Sequence, residues 1–508
     1  MWKSLFVLLL PGVLSVAVPA AETICDNYTG LDWKSTDGTG RVEMIGRKPV
    51  AVIEVPKRSE KGPHWLVAPI DLKPYMLDHR FGMSIRARWS NVSRPPEKWN
   101  GVKFMLNYTD ANGKAHWHHP QGLWGNRDWI EISTMLDPLT KGDHDGRFIF
   151  GLENCSGKVE FDLGSLKTFK LFSPADRVNR EFKVNYPEQL AAEGIRRGVM
   201  SPHVMTEEDF KTLKAWNVNL LRYQIMRNWG QVGTELDLEE YDRWLDGKLD
   251  HLAQILDWAK KYGVKVMIDL HTPPGGSYDG SNMLMFFDKR YADHFVETWK
   301  KIATRFKGHP AVRGYDLINE PNQSIPAPYD YWSIQKAAAE AVRKIDPGTP
   351  VIIESNEADR PASFAYLSPL AMDNVIYQVH MYMPMGFTHR GVTTPQPAIA
   401  YPGKIDGETW DKEKLRETLR PVREFQLRHN ARIYVGEFSA AIWAPGAERY
   451  LADCISLFEE YGWDWSYHAF REWDGWSLEH EGKDRNSMRP SADNPRKRVL
   501  LKAFERNR

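Results

Sequence analysis

Apolar and polar positions alternate with two different periods along this chain, and the period changes near residue 173. Residues 22–172 contain short runs in which apolar and polar residues alternate, separated by turn residues. A period of two is typical of strands with one buried face, so this region predicts an all-β domain with a jelly-roll or other β-sandwich fold. The clearest candidate strands are residues 82–89, 102–108, 129–134 and 147–152.

Residues 193–508 follow a different pattern, because strand-like apolar segments alternate there with segments whose apolar residues recur at helical spacing. The eight candidate strands are residues 197–200, 219–224, 265–270, 313–318, 350–354, 375–382, 432–436 and 464–470. Eight βα units predict a (β/α)₈ TIM barrel. A doubly wound open sheet is the alternative, but no Gly-rich phosphate-binding turn follows the first strand. A charged, Pro-containing linker, residues 173–192, separates the two domains.

Two helix features support the barrel prediction. One helix carries an apolar stripe on a single face, and Thr206 and Asp209 form a candidate N-terminal cap for the first helix after the first barrel strand. The apolar stripe consists of Leu249, Leu252, Ile255, Leu256 and Ala259.

The charge balance narrows the class of substrate. The chain has 67 Lys and Arg against 67 Asp and Glu, so no long-range field favours nucleic acid or an acidic membrane surface. The 20 Trp and 20 Tyr provide flat apolar faces with polar edges, which suit both core packing and stacking on sugar rings. A neutral substrate fits this composition.

The first 20 residues resemble a cleavable signal peptide, with Lys3 before an apolar run at residues 5–10 and Ala20 among small residues at the end. A membrane anchor is the alternative. It is disfavoured because the run is short and is broken at Pro11. We expect a secreted or periplasmic protein with no membrane span.

Cysteine usage excludes a zinc cluster and a disulfide-dense scaffold, because the chain contains only Cys25, Cys155 and Cys454. A Cys25–Cys155 disulfide within the first domain is possible. The odd thiol that it would leave favours free cysteines instead.

Polar side chains end most of the predicted barrel strands. Active sites of such barrels lie at the carboxyl ends of the strands, where polar residues ending apolar runs indicate chemistry. These residues are Arg222 and Gln224, Asp269 and His271, Asn319 and Glu320, His380 and Tyr382, and Glu437.

Glu320 and Glu437 are the candidate catalytic pair, because glycoside hydrolysis uses two carboxyl groups that flank the anomeric carbon. Glu320 lies in RGYDLINEP, at the top of a predicted buried strand, where we expect a desolvated carboxyl with a raised pKa. A surface glutamate that caps a helix is the alternative. Glu437 ends the apolar strand IYVGEFSA, where its charge must be paired or face a cleft. Strands four and seven lie on opposite sides of a barrel mouth.

These motifs resemble the catalytic barrel of glycoside hydrolase family 5, the cellulase family, over residues 193–478. LINEP resembles the family's acid/base motif, which implies that Glu320 is the acid/base and that Asn319 bonds the sugar 2-hydroxyl. YVGEFSA resembles the nucleophile strand, which implies that Glu437 attacks the sugar.

The resemblance extends to three further strand ends. Arg222 in LLRYQ matches a residue that pairs with and orients the nucleophile. His271 in IDLH and the pair His380 and Tyr382 in VHMY match family positions that bind substrate or support the nucleophile. A guanidinium beside Glu437 would keep it ionised, and the Tyr382 hydroxyl can donate to the same carboxylate.

The segment after the eighth strand departs from the family. His468 in WSYHAFREWDGW stands where the family usually has a Trp under the sugar being cleaved. Trp473 or Trp476 is a candidate substitute, with Trp473 preferred, although either could be a packing residue. Trp229 is another candidate platform or core residue, and the Pro- and Gly-rich residues 383–410 predict a structured loop over the cleft.

The first domain resembles the jelly-roll carbohydrate-binding modules attached to many polysaccharide hydrolases. Such modules stack sugars on exposed aromatic side chains, and a scaffold sandwich with packed tryptophans is an equally weighted alternative. The candidates are Trp99, Trp117, Trp124 and Trp129.

The resemblance implies a retaining β-glycosidase that acts on a β-linked polysaccharide or oligosaccharide, with endo-β-1,4-glucanase as the preferred activity. We expect it to be a monomer. A β-mannanase, a xyloglucanase, an exo-β-glucosidase and a non-catalytic carbohydrate-binding protein are the alternatives. We expect no cofactor, no metal and no nucleic-acid partner. A metal-dependent hydrolase with Asp269, His271 and His380 as ligands would need a denser histidine set.

Overall fold

The structure is a computed structural model that describes residues 23–77, 80–97, 99–171, 179–227, 235–276 and 282–507. The candidate signal peptide at residues 1–20 and the candidate platform Trp229 lie outside these residues. Across the described ranges, every helix is too short or too polar to span a bilayer.

The first domain consists of two antiparallel sheets. Its strands are β1 (Thr23–Cys25), β2 (Lys34–Ser35), β3 (Gly40–Ile45), β4 (Lys48–Val55), β5 (Pro63–Pro69), β6 (Phe81–Val92), β7 (Gly101–Thr109), β8 (Ala115–His118), β9 (Gly125–Leu136), β10 (His144–Glu153) and β11 (Gly157–Lys170). One sheet has the order β3-β4-β11-β6-β9, with β1 paired to β11, and the other has the order β2-β5-β10-β7-β8. The four predicted strands lie within β6, β7, β9 and β10.

The apolar residues of the alternating segments form the core of this sandwich. Ile85 and Ala87 of β6 are fully buried and pack in one apolar cluster with Phe104 of β7 and Phe150 of β10, while Arg86 between them is exposed. Burial of such side chains stabilises the fold by roughly 1.5–3 kcal/mol each. The two sheets therefore share one core.

The second domain is a closed barrel of parallel strands, which confirms the predicted TIM barrel. The barrel strands are β12 (Arg197–Met200), β13 (Leu220–Gln224), β14 (Lys265–Asp269), β15 (Val312–Asp316), β16 (Val351–Glu354), β17 (Val375–Met381), β20 (Arg432–Phe438) and β21 (Asp464–Tyr467). All eight predicted strands are present. Four of them end one to three residues before their predicted ends, and β20 extends two residues further.

Helices and short hairpins surround the barrel. The helices are α1 (Glu188–Ala192), α2 (Glu207–Ala215), α3 (Leu238–Tyr262), α4 (Lys289–Phe306), α5 (Tyr331–Ile345), α6 (Asn356–Asp359), α7 (Met385–Thr388), α8 (Lys412–His429), α9 (Ala447–Glu460) and α10 (Pro495–Phe504). The hairpins are β18 (Gly403–Ile405) with β19 (Glu408–Trp410), and β22 (His480–Glu481) with β23 (Arg489–Pro490). The predicted loop at residues 383–410 thus contains α7 and the β18–β19 hairpin.

The helix features predicted from sequence are confirmed. The Thr206 hydroxyl and backbone N–H both donate to the Asp209 carboxylate, which forms the capping box of α2. Asp237 caps α3 by accepting from two backbone N–H groups, and Gly263 ends it with a φ of 77°. The five apolar stripe residues of α3 are buried between the helix and the barrel wall.

The linker predicted at residues 173–192 is partly integrated into the barrel domain. Val184 is fully buried in the barrel's outer core, and its backbone N–H donates to the carbonyl of His429. Helix α1 also lies within this segment. Phe182, Val184 and Tyr186 of this charged segment pack against the barrel.

The two domains are in direct contact. The hydroxyls of Ser133 in β9 and Ser324 after β15 are 2.7 Å apart and buried. Phe169, Leu171 and Ile325 form an apolar cluster across the same boundary. The sandwich is therefore packed against the barrel. All three cysteines are free thiols, so the Cys25–Cys155 disulfide considered above is not formed.

Candidate active site

A buried arginine at the end of β13 organises the floor of the barrel mouth. Arg222 lies at the centre of four carboxylates that come from four other strands or strand ends. Its Nη1 donates to Oε1 of Glu437 at 2.6 Å, and its Nε donates to Oδ2 of Asp316 at 2.8 Å. Its Nη2 lies 3.1 Å from Oε1 of Glu354 and 3.3 Å from Oδ2 of Asp269. The carboxyl ends of parallel strands bring these groups together.

Glu437 is held by two donors. Arg222 binds one carboxylate oxygen, and the Tyr382 hydroxyl donates to Oε2 at 2.8 Å. Burial alone raises the pKa of Glu437, but surrounding positive charge outweighs burial and holds this pKa well below its usual range. The charges come from His380, His468, Arg222 and His271. Glu437 is consequently ionised at neutral pH.

Glu320 lies opposite, and its surroundings differ from the expectation. Its side chain is 38% exposed, so the prediction of a desolvated carboxyl is wrong. The reason is that β15 ends at Asp316, and the chain leaves the barrel wall before it reaches Glu320. The residue has a φ of 48°, and its backbone N–H donates to Oε2 of Glu354 at 2.7 Å. The carboxyl therefore faces the cleft.

His380 lies between the two glutamates. Its Nδ1 is 2.9 Å from Oε1 of Glu320 and 3.8 Å from Oε2 of Glu437. The amide nitrogen of Gln378 lies 3.2 Å from the other ring nitrogen of His380, Nε2. Gln378 also donates to Glu354, which fixes the amide.

The two carboxyl groups are close enough to act on one bond. One oxygen of Glu320, one oxygen of Glu437 and a ring nitrogen of His380 all lie within 4.8 Å of one another. Carboxyl groups about 5–5.5 Å apart are typical of glycosidases that act through a covalent intermediate, whereas about 6.5–9.5 Å leaves room for a water. The arrangement suits a nucleophile and an acid on either side of a glycosidic bond.

Two other predicted residues take supporting positions. The Oδ1 of Asn319 accepts from Nη2 of Arg222 at 3.0 Å, so its amide is held at the site. His271 bonds Asp269, with Nδ1 2.8 Å from Oδ2. Burial lowers the pKa of His271, but the charge of Asp269 and its hydrogen bond raise it above the usual value. His271 therefore contributes positive charge near Glu437.

Tyr382 connects the nucleophile to a pair of residues that sequence reasoning missed. Its hydroxyl lies 2.7 Å from Nδ1 of His468, and Nε2 of His468 lies 2.6 Å from Oε2 of Glu472. His468 was noticed only as a departure from the family, and Glu472 was not considered. The sequence analysis also missed Glu354. This residue ends the apolar strand VIIE, and a charged residue at the end of an apolar strand is the same signal that identified Glu437.

The aromatic side chains after β21 form a separate cluster. The Trp476 ring is buried and lies 5.8 Å from the ring of His468. Trp473 lies one ring further away, 5.4 Å from Trp476 and 5.9 Å from Trp443. Trp473 is the preferred candidate for the aromatic platform under the sugar, and that role stays a prediction.

Within the described ranges, two groups of side chains have the spacing of metal ligands. They are Glu320, His380 and Glu437, and Glu354, Asp359 and His380. In both groups, carboxylate oxygens already accept hydrogen bonds from protein donors. The combination of Asp269, His271 and His380 considered from sequence does not form such a group.

Comparisons with known proteins match the barrel domain. The family model described as cellulase, glycosyl hydrolase family 5, matches residues 184–473. Endoglucanase C of Acetivibrio thermocellus is 28% identical over 298 residues, which cover 52% of this chain and 84% of that protein. Cellodextrinase A of Ruminococcus flavefaciens is 26% identical over 275 residues, which cover 53% of this chain and 79% of that protein. A solved hyperthermophilic endo-β-1,4-glucanase aligns at 21% identity with a TM-score of 0.48, covering 61% of this chain and 97% of the other.

Proposed function

This chain belongs to the cellulase family, glycosyl hydrolase family 5, and we propose that it is a retaining endo-β-1,4-glucanase with Glu437 as nucleophile and Glu320 as acid/base. The family makes it a glycoside hydrolase. The relatives include proteins named endoglucanase and cellodextrinase, which supports a β-1,4-linked glucan as substrate.

The observation that carries the proposal is the spacing and unequal environment of the two glutamates. Their nearest oxygens lie within 4.8 Å, which is compatible with the short carboxyl separation of retaining enzymes. Glu437 is buried against a guanidinium and is ionised, whereas Glu320 opens to the cleft. A nucleophile has to be anionic, and an acid has to exchange a proton with solvent and leaving group.

In the first step, a carboxylate oxygen of Glu437 attacks the anomeric carbon and the bond to the leaving oxygen breaks. The proton of Glu320 passes to that oxygen, so a free hydroxyl leaves and a glycosyl ester forms on Glu437. As the charge of Glu437 is consumed, Arg222 and Tyr382 hold the carboxyl in line with the sugar. Asn319 is placed beside Arg222 to bond the 2-hydroxyl of that sugar.

In the second step, Glu320 acts as the base. It takes a proton from water, the water oxygen attacks the anomeric carbon, and the bond to Glu437 breaks. Two inversions give net retention, and the released Glu437 carboxylate again pairs with Arg222. His380, with its Nδ1 2.9 Å from Oε1, holds the Glu320 carboxyl in position between the two steps.

Product stereochemistry tests the mechanism. Cello-oligosaccharides, manno-oligosaccharides and xyloglucan oligosaccharides are digested, and the anomer of the first product is followed by NMR. We expect hydrolysis of the cello-series with a first product of β configuration. An α first product would refute the nucleophile role, and preference for another series would replace glucan by mannan or xyloglucan.

A second experiment separates this proposal from the alternative classes. Glu437→Gln keeps the shape of the site and removes the nucleophile, so we expect loss of hydrolysis together with retained binding of oligosaccharide. Activity of the wild type should be insensitive to chelators. Full activity in Glu437→Gln, or loss of activity in chelator, would favour a metal-dependent hydrolase.

We also propose that the protein is exported, so that it reaches extracellular or periplasmic glucan. The proposal rests on the signal-like residues 1–20 of the sequence. N-terminal sequencing of the mature protein from its host tests it. A mature chain that begins after about residue 20 is expected, whereas an intact Met1 would contradict export by cleavage.

A further inference from the structure

A cleft lies between the sandwich and the barrel. Its volume is about 540 Å³, within the range of ligand-binding pockets, roughly 300–1,000 Å³. The sandwich contributes residues 94–97, Trp99 and Trp124, and the barrel contributes α7 and the residues that follow it, together with Asp406. Both domains therefore form its walls.

This cleft reaches close to the catalytic pair. His389 lines it, and the His389 ring lies 4.8 Å from the ring of Tyr382. The Tyr382 hydroxyl bonds Glu437. One side chain, Tyr382, thus lies between the cleft-lining His389 and the nucleophile.

Two exposed tryptophans line the sandwich side. Trp99 is 43% exposed and Trp124 is 46% exposed, although large apolar side chains are costly to leave in water. They lie in the loops before β7 and β9. Such rings offer flat apolar area with a polar edge.

The two rings are carried on anchored backbone. The carbonyl of Trp99 accepts from the ammonium of Lys103, which is itself paired with Glu153. The carbonyl of Trp124 accepts from the indole N–H of Trp89. Because these backbone positions are fixed, less conformational entropy is lost when the loops contact a ligand.

The charges of the lining indicate a neutral occupant. Arg94 and Arg390 are balanced by Glu97 and Asp406. A polyanion would need an excess of positive charge, whereas mixed polar groups between aromatic faces suit hydroxyl groups and sugar rings.

We propose that this cleft is an extension of the substrate-binding site, in which Trp99 and Trp124 of the sandwich stack against distal sugar units of the same β-1,4-glucan chain whose bond is cleaved at Glu437. The sandwich then acts as one wall of the active-site cleft. The inference rests on the proposed glucanase function. The contact between Ser133 and Ser324 keeps the sandwich wall in place.

The variants are Trp99→Ala and Trp124→Ala, with Trp117→Ala as the matched control. Trp117 is 47% exposed on the same domain, in β8, and does not line the cleft. We expect Trp99→Ala and Trp124→Ala to raise KM for cellohexaose roughly 2- to 10-fold each, as loss of an aromatic stacking contact would. The KM for cellotriose should change much less than the KM for cellohexaose, since a short chain is held at the catalytic pair. Trp117→Ala should change neither.

Calorimetry with cellohexaose in the Glu437→Gln background keeps this test independent of hydrolysis. Hydrolysis of cellotriose by the wild type tests the glucanase function. Weakened cellohexaose binding in Glu437→Gln with Trp99→Ala or Trp124→Ala supports the cleft. Undetectable binding of cellohexaose to Glu437→Gln, unchanged binding in both tryptophan variants, or equal weakening by Trp117→Ala would overturn it.

Discussion

Nη1 of Arg222 donates a 2.6 Å hydrogen bond to Oε1 of Glu437, and both side chains are buried at the floor of the barrel mouth. A charge-assisted bond of this length in a site with little water strongly favours the carboxylate form. The same guanidinium also contacts Asp269, Asp316 and Glu354, and its charge opposes the burial that raises the pKa of Asp316 and Glu354. Arg222 therefore controls the ionisation of the nucleophile and of the acidic groups beneath it.

Arg222→Ala should move the acid limb of the pH profile upward. Burial continues to raise the pKa of Glu437, and one of the charges that lowers it is lost. The anionic nucleophile is then lost at a higher pH than in the wild type, with a shift of about 1–3 units. The measurement is kcat/KM from pH 3 to 7.

Arg222→Lys is the control for folding and charge. It keeps a cation beside Asp316 and Glu437, so its acid limb should lie between those of the wild type and Arg222→Ala. We expect kcat to fall, because the lysine ammonium cannot reproduce the planar set of donors by which the guanidinium bonds both carboxylates. An acid limb in Arg222→Ala that coincides with the wild type would contradict the role given to the Arg222 charge.

Glu320→Ala and Glu437→Ala should be rescued by azide with opposite stereochemistry. With a dinitrophenyl β-glycoside, Glu320→Ala can still form the glycosyl ester because that leaving group needs no proton. Azide then attacks the ester and gives the β-glycosyl azide. In Glu437→Ala, azide takes the place of the carboxylate and gives the α-glycosyl azide. NMR of the products distinguishes the two, and the same anomer from both variants would contradict the assignment.

Glu320→Ala should lose much more activity on cello-oligosaccharides than on the dinitrophenyl glycoside. For Glu320→Ala, removal of the proton donor should lower kcat on cello-oligosaccharides about 10²–10⁴-fold. The first step on the dinitrophenyl glycoside should be far less affected. Comparable losses on both substrates would indicate that Glu320 acts by positioning.

Glu472→Gln should move the basic limb of the pH profile to lower pH. Tyr382 has one hydroxyl hydrogen, which Glu437 accepts, so Tyr382 must accept from His468. Burial lowers the pKa of His468, and the charges of Glu472 and Glu437 raise it above its usual value. Without the Glu472 charge, His468 loses its proton at a lower pH and draws the Tyr382 hydrogen away from Glu437. The measurement is kcat/KM from pH 5 to 9.

Glu479→Gln is the matched control for this prediction. Glu479 lies in the same segment, but its carboxylate pairs with Arg471 and not with His468. The basic limb of the pH profile of Glu479→Gln should coincide with that of the wild type. A basic limb unchanged in Glu472→Gln as well would show that His468 does not titrate in the active range.

The barrel could be predicted because buried parallel strands are continuous apolar runs that end in polar groups. Most of the eight strands carry that signal, and the strand-end rule placed Arg222, Tyr382 and Glu437 at one mouth, where the structure brings them into hydrogen-bond contact. The exposure of Glu320 was misjudged because it depends on where β15 ends. Backbone geometry after a strand is not encoded in periodicity.

The rest of the site depends on contacts between distant segments. Tyr382 and His468 are 86 residues apart, and their hydrogen bond depends on the exact course of the chain after β21. The cleft next to Trp99 and Trp124 depends on how the sandwich packs against the barrel. Neither relationship leaves a repeating pattern in the sequence. The sequence alone therefore assigns Trp99 and Trp124 to a separate carbohydrate-binding module.

Gly436→Ala should lower stability and kcat together. A Cβ at this position would lie 2.4 Å from Cδ and 2.6 Å from Oε1 of Gln378, a fully buried side chain on the neighbouring strand β17. Forcing an extra methyl into such packing costs about 1–3 kcal/mol. Gln378 holds His380, which in turn contacts Glu320, so displacement of the amide should misalign the acid/base.

Two further variants separate the clash from the loss of the hydrogen bond. Gln378→Ala in the Gly436→Ala background makes room for the methyl, so thermal stability should recover in part while kcat stays low, because His380 is no longer held. Gly247→Ala is the control for the substitution itself. Gly247 is exposed in the middle of α3 with no atom within 4 Å of an added Cβ, so alanine should stabilise the protein by about 0.5–1 kcal/mol with kcat unchanged. Wild-type kcat in Gly436→Ala would show that Gln378 does not position His380.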